Sequence, residues 1–579
     1  MGNLLGTDGI RSIANKDLAP ELAFKVGRAD AFVLGKGEPG KILVGKDTRK
    51  SGDMLEAALT AGICSMGIDV VQLGVVPTPT VAYLTRDHNA LAGVVISASH
   101  NPVEYNGIKF FNSKGYKLND GIEEEIEKYI LQNEEILDRP IKEDVGKIIC
   151  GKNEYKHYME YLKTTVDVDF SGIKVAMDCG NGALYRIASE LLEEMGAETI
   201  VINNRPNGGN INVECGSTNP SMIQNLVLET KADIGLSFDG DADRIIAVDE
   251  CGNIMDGDHI LAICGTELYN KNKLGKNTIV GTVMTNMGLD LYLKDKGMNI
   301  VKTAVGDRYV IEEMLEHGYN LGGEQSGHII FLDHNTTGDG LLVGLQLIQV
   351  MKSTGRKMSE LNNLMKSLPQ VLINAKVKEE LKHSYLEDLE IKEEIEKIEE
   401  IFHGEGRVVI RPSGTEPLVR VMIEGKDQKQ IEDIAKESTE AEGVVNKPDD
   451  IVCIFFTSGT TGMPKIVCHT HKSLTIGHLT TTSWIGVRNN DIHYNISQPG
   501  WAKFAWSSFF APWNVGATIF AHHTLERFNA HKTLGLIEKH KISTLCAPPT
   551  VLRLFIKENL QSHKFSFRQC VAAGEPLNP

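Results

Sequence analysis

Ile173-Lys174-Val175-Ala176-Met177, then Asp178-Cys179-Gly180-Asn181-Gly182-Ala183, then Leu184 to Met195 reads as a short buried strand, a glycine-containing turn and an apolar-periodic helix. The same unit stands upstream. Lys41 to Gly45 predicts a strand, Leu55 to Met66 a helix and Val70 to Leu73 the next strand. It returns downstream, with a strand over Thr278 to Val283 and a helix after Met287. Strand, turn and helix in repetition predict α/β domains with mostly parallel sheets, and functional loops then lie at the carboxyl ends of strands. Lys378 to Glu400 is a charge-laced helical stretch. Arg407 to Ile410 and Leu418 to Ile423 follow as two strands around a polar loop, an α+β element.

The chain has 579 residues and a formal net charge of −17, enough for several domains and set against a general nucleic-acid or anionic-membrane binder. No apolar run approaches the roughly 18 residues of a membrane span. The N-terminus lacks the basic and apolar regions of a secretory signal. The 10 cysteines are dispersed without a C-x-x-C pair, which predicts a reducing, cytoplasmic setting rather than a disulfide framework or a zinc site. Composition changes after Asp450. All 4 tryptophans, 9 of 18 histidines and 10 of 18 phenylalanines fall in the last 129 residues, which carry a net charge of +7 and leave −24 on the first 450. That shift marks two units of different origin.

Four loops in the larger unit carry chemistry. Val94-Val95-Ile96 runs into Ser97-Ala98-Ser99-His100-Asn101-Pro102, which sets Ser99 exposed at a strand end, where a nucleophilic serine needs a proton or charge partner. In Phe238-Asp239-Gly240-Asp241-Ala242-Asp243-Arg244, three carboxylates at i, i+2 and i+4 repel one another unless a cation neutralises them. Hard oxygen ligands suit Mg²⁺ or Ca²⁺, and the loop lacks the glycine and distal glutamate of an EF-hand. Gly322-Gly323-Glu324-Gln325-Ser326-Gly327-His328 offers donors and acceptors for sugar hydroxyls. Arg411-Pro412-Ser413-Gly414-Thr415-Glu416-Pro417, with Arg420, offers two guanidiniums, two hydroxyls and open backbone to a phosphate. Together they predict phosphoryl transfer on a phosphosugar.

These loops also carry a resemblance. Residues 1 to about 438 resemble the phosphohexomutase superfamily, specifically its bacterial phosphoglucosamine mutase branch. The match runs through Gly6 to Arg11, Gly45 to Arg49, Pro77 to Pro79, the Ser99 loop, Asn106 to Phe110, the aspartate loop, Val305 to Tyr309, the Glu324 loop and the Arg411 loop. Gln325, where phosphomannomutase-type relatives commonly have Met, tilts the substrate toward glucosamine phosphate; phosphomannomutase or phosphoglucomutase specificity is the alternative. Ser12 replaces a glycine usual in the family, and Leu5 an aromatic.

The resemblance implies three mixed α/β domains, 1–153 with the serine, 154–253 with the metal loop and 254–366 with the sugar loop. An α+β domain, 367–440, with the phosphate loop follows, all around one cleft. It implies an intramolecular phosphotransferase. Phosphorylated Ser99 gives its phosphate to glucosamine 6-phosphate, a 1,6-bisphosphate turns over, and glucosamine 1-phosphate leaves for UDP-N-acetylglucosamine and peptidoglycan precursor synthesis. By motif match, Asp239, Asp241, Asp243 and the Ser99 phosphate would hold one Mg²⁺. Lys109, Arg11, Arg244 and His328 would handle protons or stabilise charge. Glu324 and Ser326 would grip the sugar, and Arg411, Ser413, Gly414, Thr415 and Arg420 would clamp the non-reacting phosphate. The implied partner is a small phosphosugar, with no nucleic acid and no membrane; a homodimer is the expected assembly.

The helix from Gln430 changes identity near Ser438, and Thr439 to Asp450 reads as an exposed linker. Beyond it, Phe455-Phe456-Thr457-Ser458-Gly459-Thr460-Thr461-Gly462-Met463-Pro464-Lys465 joins an apolar strand to hydroxyls, glycines and a lysine, a cradle for ATP phosphates. Residues 441–579 resemble an internal fragment of the acyl-adenylate-forming (AMP-binding) family, specifically acyl-CoA synthetases, with Trp501, Trp506 and Gly574 to Pro579 extending the match. The family's later motifs and C-terminal lysine domain have no counterpart here. Thr457, Ser458, Gly459, Thr460, Thr461, Gly462 and Lys465 therefore form a vestigial ATP loop in a chimera whose second part is expected to be inactive. An ATP-dependent acyl-CoA ligase is the rival expectation, and a non-catalytic sugar-phosphate binder a third.

Overall fold

The strand Lys174–Asp178 lies inside a five-stranded sheet ordered Ile254–Met255, Ile245–Asp249, Ile234–Phe238, Lys174–Asp178, Glu198–Ile202. It pairs in parallel on both sides, whereas Ile245–Asp249 and Ile254–Met255 return antiparallel. The helix after the turn runs over Ile187–Glu194, starting later than its apolar periodicity predicts. The intervening residues are held as turns, with Gly182 N–H donating to the Cys179 carbonyl and Ala183 N–H to that of Gly240, each at 2.8 Å. Glycine is required there, since a Cβ on Gly182 would stand 2.5 Å from the Gly240 carbonyl oxygen.

The computed structural model describes residues 9–36, 38–131, 139–378, 385, 388–412, 418–437, 447–457, 465–497, 502–522 and 528–572. The chain forms two units, Met1–Thr439 and Glu440–Pro579.

In the first unit, a six-stranded sheet runs Ile10–Ile13, Tyr105–Asn112, Ala92–Ile96, Lys41–Lys46, Asp69–Val75, Ile148–Cys150. Its first two pairings are antiparallel and the rest parallel. This sheet is therefore mixed, with parallel pairings in the majority. Ala92–Ile96 is buried throughout, as its continuous apolar run requires when helices cover both faces. A four-stranded sheet follows, Asn299–Thr303, Thr278–Thr282, Leu321–Gly323, Ile329–Phe331. Next comes an antiparallel three-stranded sheet, Gln370–Lys376, Leu418–Gly425, Gly406–Pro412. The predicted helix over Lys378 to Glu400 is described as Leu389–Ile401; residues 379–384, 386 and 387 lie outside the described residues.

The second unit holds the hairpin Ile451–Thr457/Lys465–Thr470 and a parallel sheet ordered Thr518–Phe520, Ile492–Asn495, Thr544–Ala547, Gln569–Ala572. The helix His471–Ile485 starts on a capping box between Thr470 and Ser473. Among the described residues no helix is long and apolar enough to cross a membrane.

Candidate active site

Ser99 follows the buried strand Ala92–Ile96. It does not stand exposed, as the strand-end reading predicts, but is 2% exposed, because the aspartate loop of the neighbouring sheet closes over it. Its Oγ donates to Asp239 Oδ2 at 2.5 Å and lies 3.4 Å from His100 Nδ1. Its backbone is left-handed, φ 51°, a conformation that costs a non-glycine residue about 1–2 kcal/mol. Neighbours over-determine it. The Ser99 N–H donates to Ser97 Oγ at 2.9 Å, and Ser97 Oγ donates to Asp47 Oδ2 at 2.6 Å. Asp47 pairs with Arg49, and Arg49 Nη2 returns to the Ser99 carbonyl at 3.2 Å. Asn212 Nδ2 donates to that carbonyl too, at 2.8 Å.

The loop between the antiparallel strands Ile234–Phe238 and Ile245–Asp249 carries Asp239, Asp241 and Asp243, all buried. One carboxylate oxygen from each lies within 4.8 Å of the others. The turn is tight enough to set Ala242 at φ 59°, and a Cβ on Gly240 would stand 2.6 Å from the Ser99 carbonyl oxygen. Burial, reinforced by the charges of Asp243 and Asp241, pushes the Asp239 carboxyl well above the usual range. Burial acts the same way on Asp243, but Lys109, His328 and Arg244 overcome it and hold that carboxyl well below. Asp241 Oδ1 and Asp243 Oδ1 are buried without a hydrogen-bond partner. Orphaned carboxylate oxygens on one short loop are the donor set of a hard divalent cation, so the residues present fit Mg²⁺.

Cationic and hydroxyl groups ring the loop. Lys109 Nζ, on the strand Tyr105–Asn112, lies 2.9 Å from Asp241 Oδ2 and 3.5 Å from Asp243 Oδ2. Thr78 Oγ1 donates to Asp241 Oδ2 at 2.7 Å. Arg244 N–H donates to Asp239 Oδ1 at 3.2 Å, and its Nη1 to His100 Nδ1 at 3.2 Å. An arginine only donates, so His100 Nδ1 is the acceptor. Burial, with the charges of Arg244 and Arg11, pushes His100 down to about 4. Arg11 Nη1 donates to Asn101 Oδ1 at 3.4 Å. His328 lies with Nδ1 3.8 Å from Asp243 Oδ2 and Nε2 3.4 Å from Asp307 Oδ2. Burial opposes its protonation, but the hydrogen bond to Asp243 and the charges of Asp307 and Asp243 raise it overall.

Glu324, Ser326 and His328 belong to the turn between the strands Leu321–Gly323 and Ile329–Phe331. Gly327, at φ 91°, accepts at its carbonyl from Ile245 N–H at 3.0 Å, which ties this turn to the aspartate loop. Ser326 is exposed and Glu324 half-buried, with Glu324 Oε1 accepting from Gly306 N–H at 3.1 Å. Arg411 and Arg420 are direct partners in the antiparallel register. Burial and the charge of Arg420 lower Arg411, the mark of two cations held side by side. Ser413, Gly414 and Thr415 lie outside the described residues. In the second unit Thr457 and Lys465 are paired strand ends; Ser458, Gly459, Thr460, Thr461 and Gly462 lie outside the described residues.

Sequence reasoning gives no role to Asp47, Arg49 or Thr78, although they stand in the family motifs, and misses Asn212 altogether. Asn212 stands at φ 57° in a loop dense in Asn and Gly.

Three family models match the first unit in succession. They are phosphoglucomutase/phosphomannomutase alpha/beta/alpha domain I over residues 2–137, domain II over 156–252 and domain III over 256–368. They define a phosphohexomutase, an intramolecular phosphotransferase. The AMP-binding enzyme model matches residues 365–579. A phosphoglucosamine mutase of Alkaliphilus metalliredigens is 61% identical over 436 residues, 75% of this chain and 97% of the relative. That of Acetivibrio thermocellus is 59% identical over 440 residues, 76% of this chain and 98% of the relative. The chain belongs to the phosphoglucosamine mutase family. Solved structures share the fold. A phosphoglucomutase/phosphomannomutase family protein from Burkholderia thailandensis has TM-score 0.65 at 23% identity, over 77% of this chain and 99% of that one. An N-acetylphosphoglucosamine mutase of Aspergillus fumigatus, in complex with GlcNAc-6P and magnesium, has TM-score 0.56 at 17% identity, over 76% of this chain and 95% of that one.

Proposed function

We propose that the chain interconverts glucosamine 6-phosphate and glucosamine 1-phosphate through a phosphorylated Ser99, supplying UDP-N-acetylglucosamine synthesis. The observation that carries this reading is the Ser99 Oγ–Asp239 hydrogen bond, 2.5 Å, inside a ring of three carboxylates and Lys109. A serine in that position takes and gives a phosphoryl group rather than an acyl group, because Lys109, Arg244 and a divalent ion held by the three carboxylates would meet the negative charge of a transferring phosphate.

Asp239, Asp241 and Asp243 would hold Mg²⁺, as the magnesium complex of the Aspergillus fumigatus N-acetylphosphoglucosamine mutase supports. The ion, when bound, neutralises charge on the transferring phosphoryl oxygens. Ser99 carries the phosphate. Lys109 and Arg244 stabilise the charge left on Ser99 Oγ and on the moving group. His328, lifted by Asp243 and Asp307, takes the proton from the attacking sugar hydroxyl and returns it to the leaving oxygen. His100, held neutral, accepts from Arg244 and fixes that guanidinium beside Ser99. Glu324 and Ser326 hold sugar hydroxyls. Arg411 and Arg420, with Ser413, Gly414 and Thr415, clamp the phosphate that is not moving. The clamp must accept either end of the hexosamine 1,6-bisphosphate as the intermediate reorients, which suits paired guanidiniums.

The second unit is proposed to take no part in the mutase reaction, since Ser99, the aspartate loop, the Glu324 turn, Arg411 and Arg420 all belong to the first unit. An initial-rate comparison of glucosamine, glucose and mannose 6-phosphates, with Mg²⁺ and a trace of the matching bisphosphate, tests the substrate. A kcat/KM at least as high on glucose or mannose 6-phosphate would move the assignment to those hexoses.

A further inference from the structure

On the first unit, away from the aspartate loop, two histidines and two carboxylates converge where the helix Thr78–Asp87 ends and the helix Tyr155–Lys163 begins. His88 is the residue after the first helix, and Glu154 the residue before the second. His88 Nε2 lies 3.1 Å from Glu154 Oε2 and 3.8 Å from Asp87 Oδ2, and His157 Nε2 lies 3.9 Å from the same Glu154 oxygen. A ligand atom from each of Asp87, His88 and His157 lies within 4.8 Å of the others, and the two imidazole rings are 5.9 Å apart. His88 Nε2 is closed off from solvent and makes no hydrogen bond of good geometry, despite the carboxylate beside it.

We infer that Asp87, His88, Glu154 and His157 form a second metal site, selective for Zn²⁺. In a zinc tetrahedron with bonds of about 2.0–2.1 Å, ligand atoms stand roughly 3.3 Å apart. The observed spacings need only a small inward movement of side chains. Two imidazole nitrogens favour zinc over the hard Mg²⁺ that suits the all-oxygen aspartate loop. The backbone beneath the site is already fixed. Tyr83 stacks on Tyr161 at 4.3 Å with the rings 17° apart, which locks the register of the two helices and prepares the ligands. The bound ion links the end of one helix to the start of the other, and the first of these helices carries Thr78, the partner of Asp241. Zinc therefore braces the mount of the aspartate loop without entering it.

The test uses the full chain, stripped with chelator and returned to excess Mg²⁺ so that the aspartate loop is occupied, then titrated with ZnCl₂ by calorimetry. One Zn²⁺ per chain is expected, with a rise in melting temperature. Loss of an outer partner alone costs about 10–100-fold in metal affinity, so His157→Asn and His88→Asn should weaken binding at least that much. Asp241→Asn should keep it. The His157 side chain is 63% exposed, so its replacement leaves the core intact, and a melt in Mg²⁺ alone checks this. Co²⁺ in place of Zn²⁺ should give visible bands that His157→Asn abolishes. Undiminished zinc binding by His157→Asn, loss of it in Asp241→Asn, or no binding by the parent chain under excess Mg²⁺ would overturn the assignment.

Discussion

Arg49 Nη2 donates to the Ser99 carbonyl at 3.2 Å and to the Asn101 carbonyl at 2.6 Å, while its other terminal nitrogen pairs with the buried Asp47. One guanidinium thus spans the strained serine turn and anchors it to the sheet. Arg49→Met would leave Asp47 buried without its counter-charge, and breaking such a pair costs about 3–5 kcal/mol. Urea unfolding should register that loss, and Arg49→Met/Asp47→Asn should recover part of it. Turnover should stay low in both, because the serine turn has lost its clamp. A single variant with parent stability and parent turnover would mean that the turn holds itself.

Replacing Ser99 separates its chemistry from its backbone. Ser99→Ala and Ser99→Gly should both lose turnover by orders of magnitude, since neither carries the phosphate. Their stabilities should differ. Glycine adopts φ 51° without the Cβ penalty, so Ser99→Gly should be the more stable by about 1 kcal/mol. Equal melting temperatures would remove the strain argument, and residual turnover near the parent rate would remove Ser99.

Above the ordinary carboxylate range, Asp239 sets the sign of the aspartate loop's pH dependence, since Asp243 is held well below that range. Burial and two neighbouring carboxylates raise Asp239 above its ordinary value. Without a divalent ion the folded chain therefore holds a proton that the unfolded chain has released. Stability must then fall as pH rises from the ordinary carboxylate range through the raised value. Mg²⁺ bound by this loop would have to displace that proton. Its affinity should climb with pH, and calorimetry in buffers of different ionisation enthalpy should detect proton release on binding. In Asp241→Asn, Mg²⁺ activation should weaken while the fold persists. A pH-independent Mg²⁺ affinity would contradict this electrostatic account.

Much of this site is legible in the amino-acid sequence, for a physical reason. Three aspartates alternating with small residues between two apolar strands have few uses other than an ion, and the strands place them. Paired strands around Arg411 and Arg420 are equally plain from the apolar stretches on either side of the polar loop. The burial of Ser99 is not legible, because what covers it comes from a loop some 140 residues away, the span of the Asp239 bond. The role of Asn212 is hidden likewise, since its partner is a main-chain carbonyl 113 positions earlier, and backbone acceptors leave no trace in residue identity. The late start of the helix Ile187–Glu194 has the same cause. Ala183 N–H, at the expected start of the helix, is spent on the Gly240 carbonyl of the aspartate loop, a tertiary demand that overrides local periodicity.

The division between Thr439 and Glu440 leads to a further expectation. Limited proteolysis between residues 438 and 450 should release a fragment ending there that keeps full mutase turnover, because Ser99, the aspartates, His328 and Arg411 all precede the cut. Pyrophosphate exchange dependent on a fatty acid should be absent from the intact chain. Acyl-adenylate formation, or loss of mutase turnover on clipping, would make the second unit a working domain.

The most direct test of the account follows one phosphate through one turnover. Chain carrying ³²P on Ser99 is mixed with a limiting amount of unlabelled glucosamine 6-phosphate in Mg²⁺, quenched after a single turnover, and the sugar phosphates are separated. The label is expected at C1 of glucosamine 1-phosphate, with Ser99 now carrying the phosphate that arrived on C6. Product that forms without label, while ³²P stays on the protein, would contradict transfer through Ser99.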